Sequence, residues 1–387
     1  MRPQRAIAAV FAIHGAVGGS LATRIPWLQD HLDLGPGLLG LALLFPSIGA
    51  IAGLPLAARL AHRFGGRAAT RALLAAWCAS VILPVLSPAP GWLFAAFLLY
   101  GGAAGMCDVV MNAHAVVLER QLGRSIMSGL HGMWSVGSLT AGGVGALAAQ
   151  AGIDARIHLP AVSLVLIALG AAAGRSLPPG EASAHAAAPR RLVLPSRGIL
   201  AIGAVGFCAT FAEGAGAGWA AVYLSEIASA GPGAAAAGYT VLMVSMAGAR
   251  LAGDRVIRLL GPATAVRAGG VVATAGCVMV VAARSPALGI TGFALLGLGV
   301  AVVVPLVFAA AGNAGTTPGA GVAGVATITY VSGLSAPAVI GWVADWLSYP
   351  AAFVMITGVV ALLILLAPVL RPAPASTPSR EEALSAH

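Results

Sequence analysis

The chain has 387 residues, 59% of them hydrophobic and only 9% charged, with a mean hydropathy of +0.94. Soluble globular proteins carry about 25% charged residues, so a chain this apolar cannot cover its own surface in water, and lipid must be its solvent. That excludes soluble enzymes, nucleic-acid binders and disordered scaffolds. The net charge of +9 does not point back to a nucleic-acid partner, because all 21 basic residues are arginines in short loops between apolar runs, as membrane topology requires.

A spanning helix needs about 20 apolar residues. Arginine, proline and glycine punctuate this chain into twelve such segments, at 5–24, 37–58, 69–88, 91–118, 125–150, 157–174, 198–221, 234–257, 265–283, 286–311, 319–343 and 348–370. The start of the first run resembles a signal peptide, but it contains His14, ends at Arg24-Ile25-Pro26 and shows no small-residue cleavage site, so it reads as a first membrane helix. Residues 175–197 form a polar linker between two six-helix bundles, 1–174 and 198–371, and the tail 372–387 is expected to be disordered. With the N-terminus inside, 18 of 21 arginines lie on the inner side, leaving only Arg24, Arg156 and Arg284 outside. The positive-inside rule therefore places both termini in the cytoplasm. Cys78, Cys107, Cys208 and Cys277 all fall in apolar runs without metal-ligand spacing, and they read as small buried hydrophobes. No metal and no cofactor are expected.

One register repeats. An offset of 196 residues pairs Phe11 with Phe207, Gly18 with Gly214, Leu28 with Leu224, Arg59 with Arg255, Phe97 with Phe293 and Gly145 with Gly341. Gly35-Pro36-Gly37 recurs as Gly231-Pro232-Gly233 at the same offset. A six-helix unit used twice in parallel is a transporter architecture whose substrate site lies between the halves.

The loop Leu60-Ala61-His62-Arg63-Phe64-Gly65-Gly66-Arg67 resembles the signature Gly-x-Leu-Ala-Asp-Arg-x-Gly-Arg that follows the second helix of major facilitator superfamily transporters. Its second-half counterpart is Arg250-Leu251-Ala252-Gly253-Asp254-Arg255. Ala22-Thr23-Arg24-Ile25-Pro26, Met127 to Ser135 and Phe211-Ala212-Glu213-Gly214 resemble a poorly characterised bacterial inner-membrane branch. The resemblance implies an all-α, twelve-helix protein of the bacterial inner membrane, working as a monomer by alternating access. It departs at His62, where the family carries Asp. The cytoplasmic gate then rests on Arg59, Arg63 and Arg67 in the first half and on Arg250, Asp254 and Arg258 in the second. The last three are four apart and share a helix face, so Asp254 can bridge both arginines and reach the other half.

Ionisable groups inside apolar spans cost about 2.5–3.5 kcal/mol each and mark pathways. Asp108 and Glu213 are the acids well inside spans, away from their ends, joined by His14, His114 and His131. Asp108 and Asn112 share a helix face, and Asn112 and His131 lie at equal depth on consecutive helices. The three form one expected cluster, either a proton and substrate site or interhelical glue. Glu213 is the lone acid inside the second half, with Thr210 one turn before it and aligned with His14. If unpaired it is a proton carrier; otherwise it belongs to a fixed salt bridge. His14 is either a switchable charge or a neutral donor that orients substrate. His114 faces elsewhere, into packing. Arg24 reads as an interfacial arginine that snorkels to the outer surface, with anion steering as the alternative.

Trp134 with His131, its counterpart Tyr330, and Trp219 with Tyr223 offer rings with polar tips for substrate stacking. Trp27, Trp92, Trp342 and Trp346 fit an interfacial belt. Gly101-x-x-x-Gly105 and Ser128-x-x-x-Gly132 permit close helix approach. A chain without lysine has no P-loop for ATP. The resulting reading is proton-coupled uptake of a small polar organic solute, mildly favoured because Gly137 to Gly143 lacks the Gly-Pro of efflux members. Proton-driven efflux of amphipathic compounds and a non-transporting receptor or scaffold are the alternatives.

Overall fold

The structure is a computed structural model, and it describes residues 2–34, 36–178, 196–314 and 318–371. Most of the linker, Gly35 of the repeated turn and the expected disordered tail lie outside the described residues. In chain order the helices are α1 (Pro3–Ala22), α2 (Ile25–His31), α3 (Pro36–Ala42), α4 (Phe45–Phe64), α5 (Gly66–Ser80), α6 (Pro90–Leu122), α7 (Met127–Gln150) and α8 (Ala155–Gly174). They continue as α9 (Arg197–Glu226), α10 (Pro232–Leu260), α11 (Pro262–Val281), α12 (Pro286–Val300), α13 (Val303–Ala314), α14 (Pro318–Trp346) and α15 (Tyr349–Leu366). Counting α1–α2, α3–α4 and α12–α13 as interrupted single crossings gives the twelve expected spans. Prolines open many of them, as at Pro3, Pro90, Pro262 and Pro286, where the missing N–H costs nothing and φ is already helical.

Among the described residues, nine crossings are long and apolar enough to span a membrane by composition alone. The three that fall short are α3–α4, α7 and α10, and each of α4, α7 and α10 packs against the opposite half. A helix that faces protein and a polar seam need not be apolar all round.

The packing repeats as the sequence does. In the first half α1 lies on α7, α4 on α6, and α5 on α6 and α8; in the second α9 lies on α14, α10 on α12, and α11 on α12 and α15. The two halves meet through α7 with α10, α4 and α6 with α14, and α13 with α6 and α7. The expected glycine approaches are present. Gly101 and Gly105 of α6 sit against the backbone of Pro46 and Ala50 in α4, while Gly132 of α7 sits against Leu251 of the second half.

The firmest sign of repetition is a pair of turns. Gly65 (φ 77, ψ 152) ends α4 and Gly261 (φ 76, ψ 158) ends α10, and they stand 196 residues apart in the sequence. That backbone region is open essentially to glycine alone. Gly65→Ala and Gly261→Ala should each cost about 1–3 kcal/mol, seen as a lowered Tm in detergent. Gly218→Ala, in a helix with nothing near its added methyl, should be neutral or slightly stabilising.

Candidate functional site

Many of the candidate side chains collect on the seam between the halves, in three groups. The first is built on α6 and α7. Asn112 Nδ2 donates to Asp108 Oδ1 at 3.0 Å and to the Asp108 carbonyl at 2.9 Å, and His131 Nε2 donates to Asn112 Oδ1 at 3.2 Å. The depth argument from the sequence thus brings the right three residues together. What it did not supply is the fourth member: Tyr330 of α14 donates its hydroxyl to Asp108 Oδ2 at 3.3 Å, from the opposite half. The His131 ring lies between Phe11 and Phe308, one from each half, at centroid distances of 5.4 and 5.9 Å.

The second group surrounds Arg250 on α10, which is 4% exposed. Its Nη2 pairs with Glu213 Oε2 of α9 at 3.0 Å, its Nε donates to the Ala301 carbonyl at 3.2 Å, and its Nη1 donates to Ser135 Oγ of the first half at 3.3 Å. Glu213 is therefore not an unpaired carboxylate. It carries the one ion pair among the described residues, because a guanidinium at that depth needs a compensating charge. Thr210 donates back to the carbonyls of Gly206 and Phe207 on its own helix and does not join Glu213.

The third group is the expected gate, rearranged. Asp254 bridges neither Arg250 nor Arg258. It reaches into the first half and accepts from Ser125 Oγ at 2.9 Å, Ser128 N at 3.0 Å and Gly129 N at 2.8 Å. Glu119 Oε2 takes the preceding amides, Ile126 N at 2.7 Å and Met127 N at 3.0 Å. A helix start leaves four N–H groups without intrahelical acceptors, and here the two acids divide them. Ser128 Oγ donates to the Arg250 carbonyl at 2.8 Å, Arg258 Nη1 donates to the Ser125 carbonyl at 3.4 Å, and Gly129 lies under the Asp254 carboxylate. Arg120, which the sequence did not single out, adds a clasp from α6 to the Gly312 carbonyl (2.6 Å) and Asn313 of α13. Arg59, Arg63 and Arg67 make no hydrogen bond to the second half among the described residues; Arg67 donates to the Arg175 carbonyl and Arg63 lies over Phe64. At the arginine-rich end the two halves are thus joined by hydrogen bonds from both sides, through Asp254 and Arg258 of the second half and Arg120 of the first.

Several candidates turn out to be packing groups. His14 Nδ1 accepts from Trp134 Nε1 at 3.0 Å while Nε2 donates to the Ala104 carbonyl at 3.4 Å, so both nitrogens are used by the first half and the ring is held as one neutral tautomer. It stacks on Trp77. Neither a switchable charge nor a substrate donor fits that setting. Tyr223 is fully buried against Phe353, and its hydroxyl has no partner among the described residues. Trp219 packs on Tyr349 with its indole N–H likewise unpaired, so Trp219 and Tyr223 belong to the second half's interior. His114 pairs with Thr70 at 3.2 Å in packing, as expected. Arg24 is corrected: it does not snorkel but is 2% exposed, bonded to His158.

Removing one partner of a buried pair strands the other. Glu213→Gln should therefore cost about 3 kcal/mol of stability, whereas Glu213→Gln combined with Arg250→Met should recover much of it. Thermal unfolding of the wild type and these two variants checks this. At the latch, Asp254→Asn should remove about 1–2 kcal/mol of charged capping, roughly a tenfold shift of the conformational ratio. Cysteines placed at the arginine-rich end should label faster in that variant, and those at the opposite end more slowly.

A family model described as Major Facilitator Superfamily matches residues 7–326. An uncharacterised MFS-type transporter of Yersinia pestis is 35% identical over 92% of this chain and 91% of its own length. An uncharacterised transporter of Sinorhizobium fredii is 30% identical over 96% of this chain and 99% of its own. Among solved structures, the MFS transporter FucP in the outward conformation superimposes with a TM-score of 0.76 at 15% identity, covering 96% of this chain and 99% of that one. The human organic anion transporter MFSD10 gives 0.73 at 16%, covering 95% and 100%. The chain belongs to the major facilitator superfamily, whose members are multi-pass secondary transporters of small molecules rather than enzymes.

Proposed function

We propose that the protein takes up a small polar organic solute by proton-coupled alternating access, with Asp108 as the proton site. The observation that carries this reading is the setting of Asp108. Its carboxylate lies on the seam, receives neutral donors from both halves (Asn112 and Tyr330), and has no cation within ion-pair distance among the described residues. An ionised carboxylate accepts both donors. A proton arriving from the outer side occupies the oxygen to which Tyr330 donates, loosens that bond across the seam and favours parting of the halves at this level, and its release to the cytoplasm restores the acceptor. Proton binding and the change of access are then one event. Glu213, the other acid expected as a proton carrier, is less suited, because its protonation would strand the buried Arg250 charge.

The polar character of the solute is supported by the groups that converge on the seam: Asn112, His131, Ser135, Glu213, Arg250 and Tyr330. A fucose:proton symporter, FucP of E. coli, shares the fold with a TM-score of 0.70 at 16% identity, a likeness of fold alone. The moving bodies are residues 1–174 and 198–371, since the principal helix packing stays within each. With the arginine-rich end in the cytoplasm, the closed latch makes this the outward-facing state.

The test is flux. Sugars, amino acids and small organic acids that raise the Tm of the purified protein are offered to proteoliposomes with an imposed pH gradient. The expected result is accumulation driven by inward proton movement. Asp108→Asn should reduce it to equilibration while sparing solute counterflow. Gradient-driven accumulation at the wild-type level in Asp108→Asn would remove Asp108 from the coupling, and extrusion in place of accumulation would reverse the direction.

A further inference from the structure

Away from the seam, the arginine-poor end of the first half holds a buried cation that no acid pairs. Arg24, between α1 and α2, is 2% exposed. Its Nε donates to Nδ1 of His158 on α8 at 3.1 Å, and its Nη2 is buried without a hydrogen-bond partner. Because Nδ1 accepts, His158 is the neutral tautomer with its hydrogen on Nε2, and that N–H is also buried and unpartnered. The corner thus has donors in surplus, and neither Arg24 Nη2 nor His158 Nε2 has an acceptor within hydrogen-bond distance. The facing acid is Asp154, whose carboxylate caps α8 by accepting from Arg156 N at 2.7 Å and stands outside ion-pair distance of Arg24. The other polar groups at this end are Arg156, which donates to the His31 ring beside Trp27, and Asp30 on the same short helix. Two of the three arginines on this end of the molecule converge here.

A guanidinium is a fork. With Nε committed to an imidazole, the Nη edge remains, and that edge matches an oxyanion with two oxygens. The start of the twenty-residue helix α8 adds its partial positive charge. The ligand's nature follows from place. Ile157, Leu164, Val165 and Leu169 expose an apolar face along α8, and the corner lies at the arginine-poor end of that lipid-facing surface, at headgroup depth.

We propose that Arg24, positioned by His158, binds a phosphate oxyanion at this corner, outside the transport pathway. A phospholipid headgroup and free inorganic phosphate share that chemistry, and the test separates them. The full-length protein in a maltoside detergent is unfolded thermally with added phosphatidylglycerol, with a galactolipid of the same acyl chains and no phosphate, or with sodium phosphate replacing chloride at equal ionic strength. Phosphatidylglycerol should raise Tm by about 3 °C or more beyond the galactolipid, the scale expected of a ligand well above its Kd. Arg24→Gln should abolish the increment, and Arg284→Gln, at the same end but remote from the corner, should keep it. An increment from sodium phosphate alone would retain the site and make its ligand soluble. If Arg24→Gln does not fold, Arg24→Lys keeps the charge without the fork and should lose at least half of the increment. An increment unchanged in the Arg24 variants, or no phosphate-dependent increment in the wild type, overturns the proposal.

Discussion

The first turn of α7 begins with backbone amides that no residue of its own helix can satisfy, and the closed state is organised around where they are satisfied. Glu119 takes two of them from within the same half, while Asp254 takes the next two from the other half. A helix cap supplied across a moving seam is at once a structural bond and a conformational one, since it exists only while the halves touch at this end. The approach depends on side chains that are absent: methyl groups at Gly129, Gly132 or Gly253 would meet Asp254, Leu251 and Ser128 respectively.

One helical turn deeper, burial decides what each charge can do. Arg250 is sequestered by its neighbours and needs an anion, so Glu213 is bound to charge compensation. Asp108, without a cation, keeps a protonatable carboxylate facing donors that belong to different bodies. Two acids that look alike in the sequence, each in a glycine-rich helix, are thereby assigned different work by their partners. His14 shows the same logic in the opposite sense, because bonds at both ring nitrogens remove its capacity to switch.

What the sequence revealed was periodic or local. The twelve spans follow from hydrophobic length, the two halves from the 196-residue register, and the Asp108–Asn112–His131 cluster from helix depth across one short loop. Gly65 and Gly261 could have been added, since glycine at matched helix ends is the signature of a positive-φ turn. What stayed hidden was the choice of partner at long range. Arg24 finds His158, Arg120 finds Asn313 and Tyr330 finds Asp108 across separations of 134, 193 and 222 residues. Symmetry also misleads at that range. Trp134 and Tyr330 are counterparts by register, yet Trp134 turns into its own half to pin His14 while Tyr330 crosses the seam. A repeat fixes where helices lie and leaves each half free to use its polar side chains differently.

That freedom bears on the energetics of the cycle. A transporter can visit both states only if they differ by a few kcal/mol, so the latches that close either end must be individually modest. The first half carries His62 where the family has an acid, and Arg59, Arg63 and Arg67 make no hydrogen bond to the second half among the described residues. The second half carries Asp254 and the Arg258 contact. An exposed ion pair would add only about 0–1 kcal/mol, whereas a charged cap on a half-buried helix start adds about 1–2 kcal/mol. A closure built mainly on one such cap, with the Arg120 contacts to Gly312 and Asn313 beside it, keeps the total small enough to be broken in each cycle. Two symmetric latches would deepen the closed state by a further factor of roughly ten, with no gain in the alternation on which transport depends.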